Sequence, residues 1–125
     1  LENMYHTRRM FGGNLWAGWP SALVARHYME GFTDRLKNAV NVSESFYSAL
    51  EEITEIQLTR IPNGTNLARI TLPDVDVTEV KRRLAAMNIM LGQPNAQGRI
   101  TLSVNETWNR ITAEQLAEAF ARSLT

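Results

Sequence analysis

The apolar spacing of this chain changes period once, near Ile53, and that change limits the folds open to it. Up to that point Leu36, Ala39, Phe46, Leu50 and Ile53 recur at threes and fours, with the small Ser43 filling one place in the stripe. That is the signature of one buried helical face. Immediately afterwards Glu55-Ile56-Gln57-Leu58-Thr59-Arg60 alternates, the two-residue period of a half-buried strand. A chain that spends its first part on helices and then turns to short strands belongs to the α+β class, with N-terminal helices ahead of a small sheet layer.

The remaining punctuation gives the element order. Leu1 to Met10 is helix-forming and stops at Gly12-Gly13. Trp19-Pro20 opens a helix over Ser21 to Glu30 that Gly31 ends, and Thr33 caps a longer helix reaching about Glu52. Pro62-Asn63-Gly64-Thr65 is turn chemistry between the first strand and a second over Asn66 to Leu72, which Pro73 ends. Asp76 and Glu79 have the spacing of a capping box for a helix to Met87, buried along Val77, Val80, Leu84 and Met87. Its Lys81, Arg82 and Arg83 read as a solvated face. Asn88 closes that helix, and Ile89-Met90-Leu91 reads as a short strand. A polar loop from Gly92 to Gly98 follows. Arg99 to Asn105 alternates, with Ile100, Leu102 and Val104 on one side, and Thr112 with Gln115 boxes the start of a last helix. The expected layer is therefore β-β-α-β-β-α with helices on one face, residues 54–125, preceded by a helical segment, residues 1–53.

Composition removes several function classes. Thirteen basic and thirteen acidic residues cancel, so the basic footprint of a nucleic-acid binder is missing. No apolar run approaches the roughly 18–20 residues of a membrane helix, and no secretory leader opens the sequence. Cysteine is absent, which excludes disulfides and thiol catalysis and fits a cytoplasmic protein. Two histidines, His6 and His27, without cysteine partners do not make a zinc site. No nucleophile elbow, phosphate loop or paired-carboxylate cleft is marked, so the chain by itself carries no catalytic set. It opens Leu1-Glu2-Asn3, which reads either as a start at Met4 behind a short added stretch or as a piece of a longer protein.

Two places stand out as candidate sites. Arg99 opens a strand on its polar side, where a fixed guanidinium offers a planar fork to a carboxylate. The same spacing also serves an arginine lying over the sheet or paired with Glu106. Gly12-Gly13-Asn14 offers backbone N–H groups to an anion such as a phosphate, or simply a tight turn between helices.

Arg8-Arg9-Met10-Phe11-Gly12-Gly13-Asn14-Leu15-Trp16, with the Trp19-Pro20 helix behind it, resembles a segment of the threonine aldolase and β-eliminating lyase family. Gly64-Thr65-Asn66 leading into a strand, the Asp76–Met87 helix and Gly98-Arg99-Ile100-Thr101-Leu102 resemble the same family's small C-terminal domain. The resemblance implies a fold-type I enzyme dependent on pyridoxal phosphate, cleaving β-hydroxy amino acids to glycine and an aldehyde. It implies that Arg99 grips the substrate carboxylate and that Gly12, Gly13 and Asn14 lie near the cofactor. The Schiff-base lysine and the partner of the pyridine nitrogen would lie upstream, in a missing N-terminal cofactor domain, and the protein would be a homo-oligomer. Phe11, Leu15, Trp16 and Trp19 would then be partly exposed in this chain. The sequence departs from the family at Trp16-Ala17, Thr101 and Val104-Asn105, where many relatives carry Arg-Gln, a second arginine and Thr-His. An aminotransferase or carbon–sulfur lyase of the same fold, and a stand-alone regulatory or protein-interaction module, are the alternatives.

Overall fold

The structure, a computed structural model, describes residues 3–10, 18–61 and 66–125. These form two compact units, residues 1–32 and 33–125. The first carries α1 (Met4–Met10) and α2 (Trp19–Met29), with Pro20 in the first turn of α2. Gly31, at φ 66°, supplies the left-handed turn that ends the segment. Neither helix buries a residue.

In the second unit α3 (Phe32–Glu51) precedes β1 (Gln57–Arg60) and β2 (Leu67–Thr71); α4 (Val77–Ala86) then leads to β3 (Arg99–Ser103). A 3-10 turn, Glu106–Arg110, and α5 (Ala113–Leu124) complete the chain. Thr33 lies inside the first turn of α3 and does not cap it, because the helix already begins at Phe32. The expected turn at Pro62-Asn63-Gly64-Thr65 falls outside the described residues.

The strands form one antiparallel sheet in the order β1-β2-β3. Leu58 pairs with Ile70 and Ile70 with Ile100; Arg60 pairs with Ala68 and Ala68 with Leu102. Because side chains alternate along a strand, these rows share one face. Ala68, Ile70, Ile100 and Leu102 are buried there under the helices. Phe46, fully buried at the middle of α3, is the hub. Its ring meets Phe120 of α5 at 5.1 Å and Trp108 of the 3-10 turn at 5.7 Å, both edge-on. Ser43 is buried in the same stripe because its hydroxyl donates to the Val40 carbonyl at 2.7 Å.

The starts of α4 and α5 follow the capping chemistry, although Glu79 gives its carboxylate to Arg82 and Arg83 and does not close a reciprocal box with Asp76. Asp76 accepts the N–H groups of Thr78 and Glu79, while Thr112 and Gln115 complete a reciprocal box at α5. Asn88, at φ 61°, closes α4 as a Schellman motif: Asn88 N–H donates to the Ala85 carbonyl and Ile89 N–H to the Leu84 carbonyl.

The fourth strand expected at Ile89-Met90-Leu91 does not form; among the described residues the sheet has three strands. Val104 N–H donates to the Asn66 carbonyl, so by antiparallel alternation Arg99, Thr101 and Ser103 turn their backbone groups to the outer edge of β3. Three of those six groups are engaged: the Arg99 N–H, the Arg99 carbonyl and the Ser103 carbonyl. Asn95 takes the Arg99 N–H on its side chain and gives its own N–H to the Arg99 carbonyl. The Ser103 carbonyl accepts the Trp108 indole at 3.0 Å and the Asn105 amide at 3.2 Å. The Ile89 N–H is drawn back into the cap of α4, and Pro94 has no N–H to offer. What remains is the turn of a hairpin, with Gly98 N–H on the Asn95 carbonyl and Gly98 at φ 71°, but no ladder beyond it.

Replacing Phe46 with Ala should lower the unfolding free energy by about 3–5 kcal/mol, read from the midpoint of a urea transition. Asn95→Ala should cost about 0.5–1.5 kcal/mol in the same measurement, since its side chain accepts from both the Gln97 and Arg99 N–H groups at the surface.

Candidate functional site

Within the second unit, the described helices leave the other face of the sheet open. Along it run Gln57, Thr71 and Arg99 in one cross-strand row and Thr59, Arg69 and Thr101 in the next, with Leu67 opposite Ser103 beyond them. Arg69 and Thr71 are half-buried and the others are exposed. No acidic residue occurs in any of the three strands. Arg99 sits here, at the first position of β3, where Asn95 holds both its backbone groups. The pairing with Glu106 does not occur, because Glu106 instead accepts from Arg35 at 2.7 Å.

Most arginines of this unit have a carboxylate. Arg60 reaches back to α3, bonding Glu44 at 2.6 Å and lying 3.6 Å from Glu51. Arg82 and Arg83 both clasp Glu79, and Arg122 pairs with Glu118. Arg69 and Arg99 make no ion pair among the described residues. Sequence reasoning passed over Arg69: strand alternation puts it on the polar side, but its place beside Arg99 depends on the β2–β3 register, which residue spacing does not encode.

Gly12, Gly13 and Asn14 fall outside the described residues, as do Phe11, Leu15 and Trp16. Trp19 is described and is 68% exposed. It belongs to a helix that is apolar around most of its circumference, through Trp19, Ala22, Leu23, Val24, Tyr28 and Met29. A helix of that kind is normally covered on more than one side, yet α2 buries nothing.

Among the described residues, two of the concavities adjoin the sheet. A groove of about 860 Å³ follows the outer edge of β3, floored by Phe46, Leu116 and Phe120 and flanked by Ile89, Leu91 and Trp108. Arg110 is the one ionisable side chain on its described lining, so the groove has no group to move a proton. A smaller cavity of about 190 Å³ lies between α3 and the first hairpin. Tyr47 lines it, and its buried hydroxyl has no hydrogen-bond partner among the described residues. Burial and the neighbouring Glu44 carboxylate raise the Tyr47 pKa, against the pull of Arg60, whose guanidinium lies 5.3 Å from the ring centre. A tyrosine so shifted stays protonated at neutral pH. It is not a base. Among the described residues no cluster of His, Cys, Asp or Glu could hold a metal ion, and no helix is long and apolar enough to cross a membrane.

The described residues thus offer a cationic surface suited to binding and no assembled acid–base pair. Comparison with protein-family models and with curated proteins finds no match for the chain.

Hydrogen bonds from Arg82 and Arg83 hold the Glu79 carboxyl at a pKa of about 2, below its ordinary 4.5. The stabilisation from a depressed carboxyl is complete above the ordinary value and is lost as pH falls toward the depressed one. Thermal midpoints taken between pH 5 and 2 should therefore fall more steeply for the wild-type chain than for Glu79→Gln.

Proposed function

We propose that this chain is the C-terminal part of a pyridoxal-phosphate-dependent lyase acting on β-hydroxy amino acids, resembling threonine aldolase. Arg99 carries the reading. It is exposed, held at the start of β3 by Asn95, and without a carboxylate of its own among the described residues. A guanidinium in that condition is suited to the carboxylate of an amino-acid substrate, which its planar fork would bind bidentately and orient.

The cofactor supplies electron withdrawal from the substrate when bound. The described residues do not provide its anchor. The chain has two lysines; Lys37 lies on α3 and Lys81 on α4, helices that cover the sheet face opposite Arg99. In this reading the cofactor is held by residues outside the chain, and the chain's own part is the substrate carboxylate. The exposed apolar side chains of α2, Trp19, Leu23, Val24, Tyr28 and Met29, fit docking onto a cofactor domain and a second subunit. The α+β layer, with one helix-covered face and one open face, is compatible with a small domain closing over a site.

The test is to express the full reading frame, reduce it with borohydride and take its intact mass. A reduced pyridoxal phosphate adduct on an upstream lysine is expected, with glycine and acetaldehyde formed from threonine. Absence of an adduct would end the reading, and a keto acid product would move it to an aminotransferase of the same fold. In the active protein, Arg99→Gln should lower kcat/KM by roughly 10- to 150-fold, the equivalent of about 1.5–3 kcal/mol for a charge-assisted contact.

A further inference from the structure

We propose that Arg69 and Arg99 together form a site for a ligand bearing two carboxylates, so that a β-hydroxy amino acid with an acidic side chain is preferred over threonine. The inference rests on the reading above for the role of Arg99 and adds to it the second guanidinium and the second carboxylate.

The register brings the two arginines together. Arg69 pairs with Thr101 and Thr71 pairs with Arg99. The arginines therefore lie diagonally across neighbouring strands on the same open face, at positions on the order of 7–8 Å apart and with Cβ atoms somewhat closer. Either side chain is long enough to cover that gap. Like charges so placed repel, and sheets ordinarily set an opposite charge across from each. Here the cross-strand partners are threonines, Thr71 and Thr101, and neither arginine has an ion pair among the described residues. The remaining neighbours, Gln57 and Thr59, are neutral hydrogen-bonding groups.

Charge and shape select the ligand. A single carboxylate leaves one positive charge unbalanced on the face; two carboxylates balance both. Each guanidinium is a flat fork that matches one carboxylate plane. Two forks spaced by a strand diagonal match two carboxylates separated by a short carbon chain better than one compact tetrahedral anion. The four-carbon spacing of succinate is a suitable probe. The threonine hydroxyls beside the arginines can donate to the outer carboxylate oxygens.

The 125-residue chain should be titrated with succinate at pH 7 and constant ionic strength, with acetate and inorganic phosphate as controls, following backbone amides by proton–nitrogen NMR. Succinate should shift resonances of 57–60, 67–71 and 99–103, and reach half-saturation at a concentration at least tenfold below that of either control. Arg69→Gln and Arg99→Gln should each raise the succinate half-saturation at least tenfold while leaving amides of α3 and α5 unmoved; Arg69→Lys, keeping the charge without the fork, should fall between. Equal binding of acetate would overturn the second carboxylate. Phosphate binding as tightly as succinate would overturn the paired-fork geometry. Unchanged binding in Arg69→Gln would remove Arg69 from the site and leave Arg99 to the reading above. That reading is judged by the lysine adduct and the products of the full protein, so either can fail while the other stands.

Discussion

The Phe46 ring is the contact on which the second unit depends. It stands at the middle of the α3 stripe and touches one aromatic side chain from the 3-10 turn and one from α5. Edge-on contacts of this kind add about 0.5–1.5 kcal/mol each beyond the burial of area. Trp108 extends the chain of contacts outward, since its indole N–H ends on the Ser103 carbonyl at the rim of the sheet. Helix, turn and strand end are thereby fastened through one side chain. Polar bonds reinforce the same junction: Asn109 bonds Asn38 and the Arg35 carbonyl, and Arg35 reaches Glu106.

That junction also decides the shape of the sheet edge. By engaging the Ser103 carbonyl, Trp108 and Asn105 remove an acceptor that a fourth strand would use, and a groove stays open between β3 and the segment from Ile89 to Gly92. Core packing and edge geometry are one problem here. The aromatic residue that completes the core under α3 is the same one whose polar atom blocks the edge.

The two faces of the sheet have opposite electrostatic character for a simple reason. Helices cover one face, and their surface acids reach the arginine that points toward them, Arg60. The other face is covered by no helix of the second unit among the described residues, and its strands hold no acid. Arg69 and Arg99 on that side have threonines as cross-strand neighbours and no ion pair among the described residues. The functional reading grows from this asymmetry more than from any single motif.

Periodicity and capping chemistry made the helices and three strands readable in advance. The α3 stripe, the Asp76 and Thr112 caps and the alternation after Gly98 act through neighbours a few residues away, so local spacing determines them. Arg99 could be picked out on the same basis, as a strand-opening residue on the polar side. Ile89-Met90-Leu91 has the apolar content of a strand, yet it forms none. The competing partners, Trp108 and Asn105, lie more than a dozen residues away. Arg69 became visible as a neighbour of Arg99 only once the β2–β3 register was set, and Glu106 turned out to belong to Arg35. Sequence alone determined the elements, because hydrophobic period and caps are local. Tertiary structure alone decided which strand edge closes, which carboxylate meets which arginine and which cations share a face, because those follow from contacts between residues far apart in the chain.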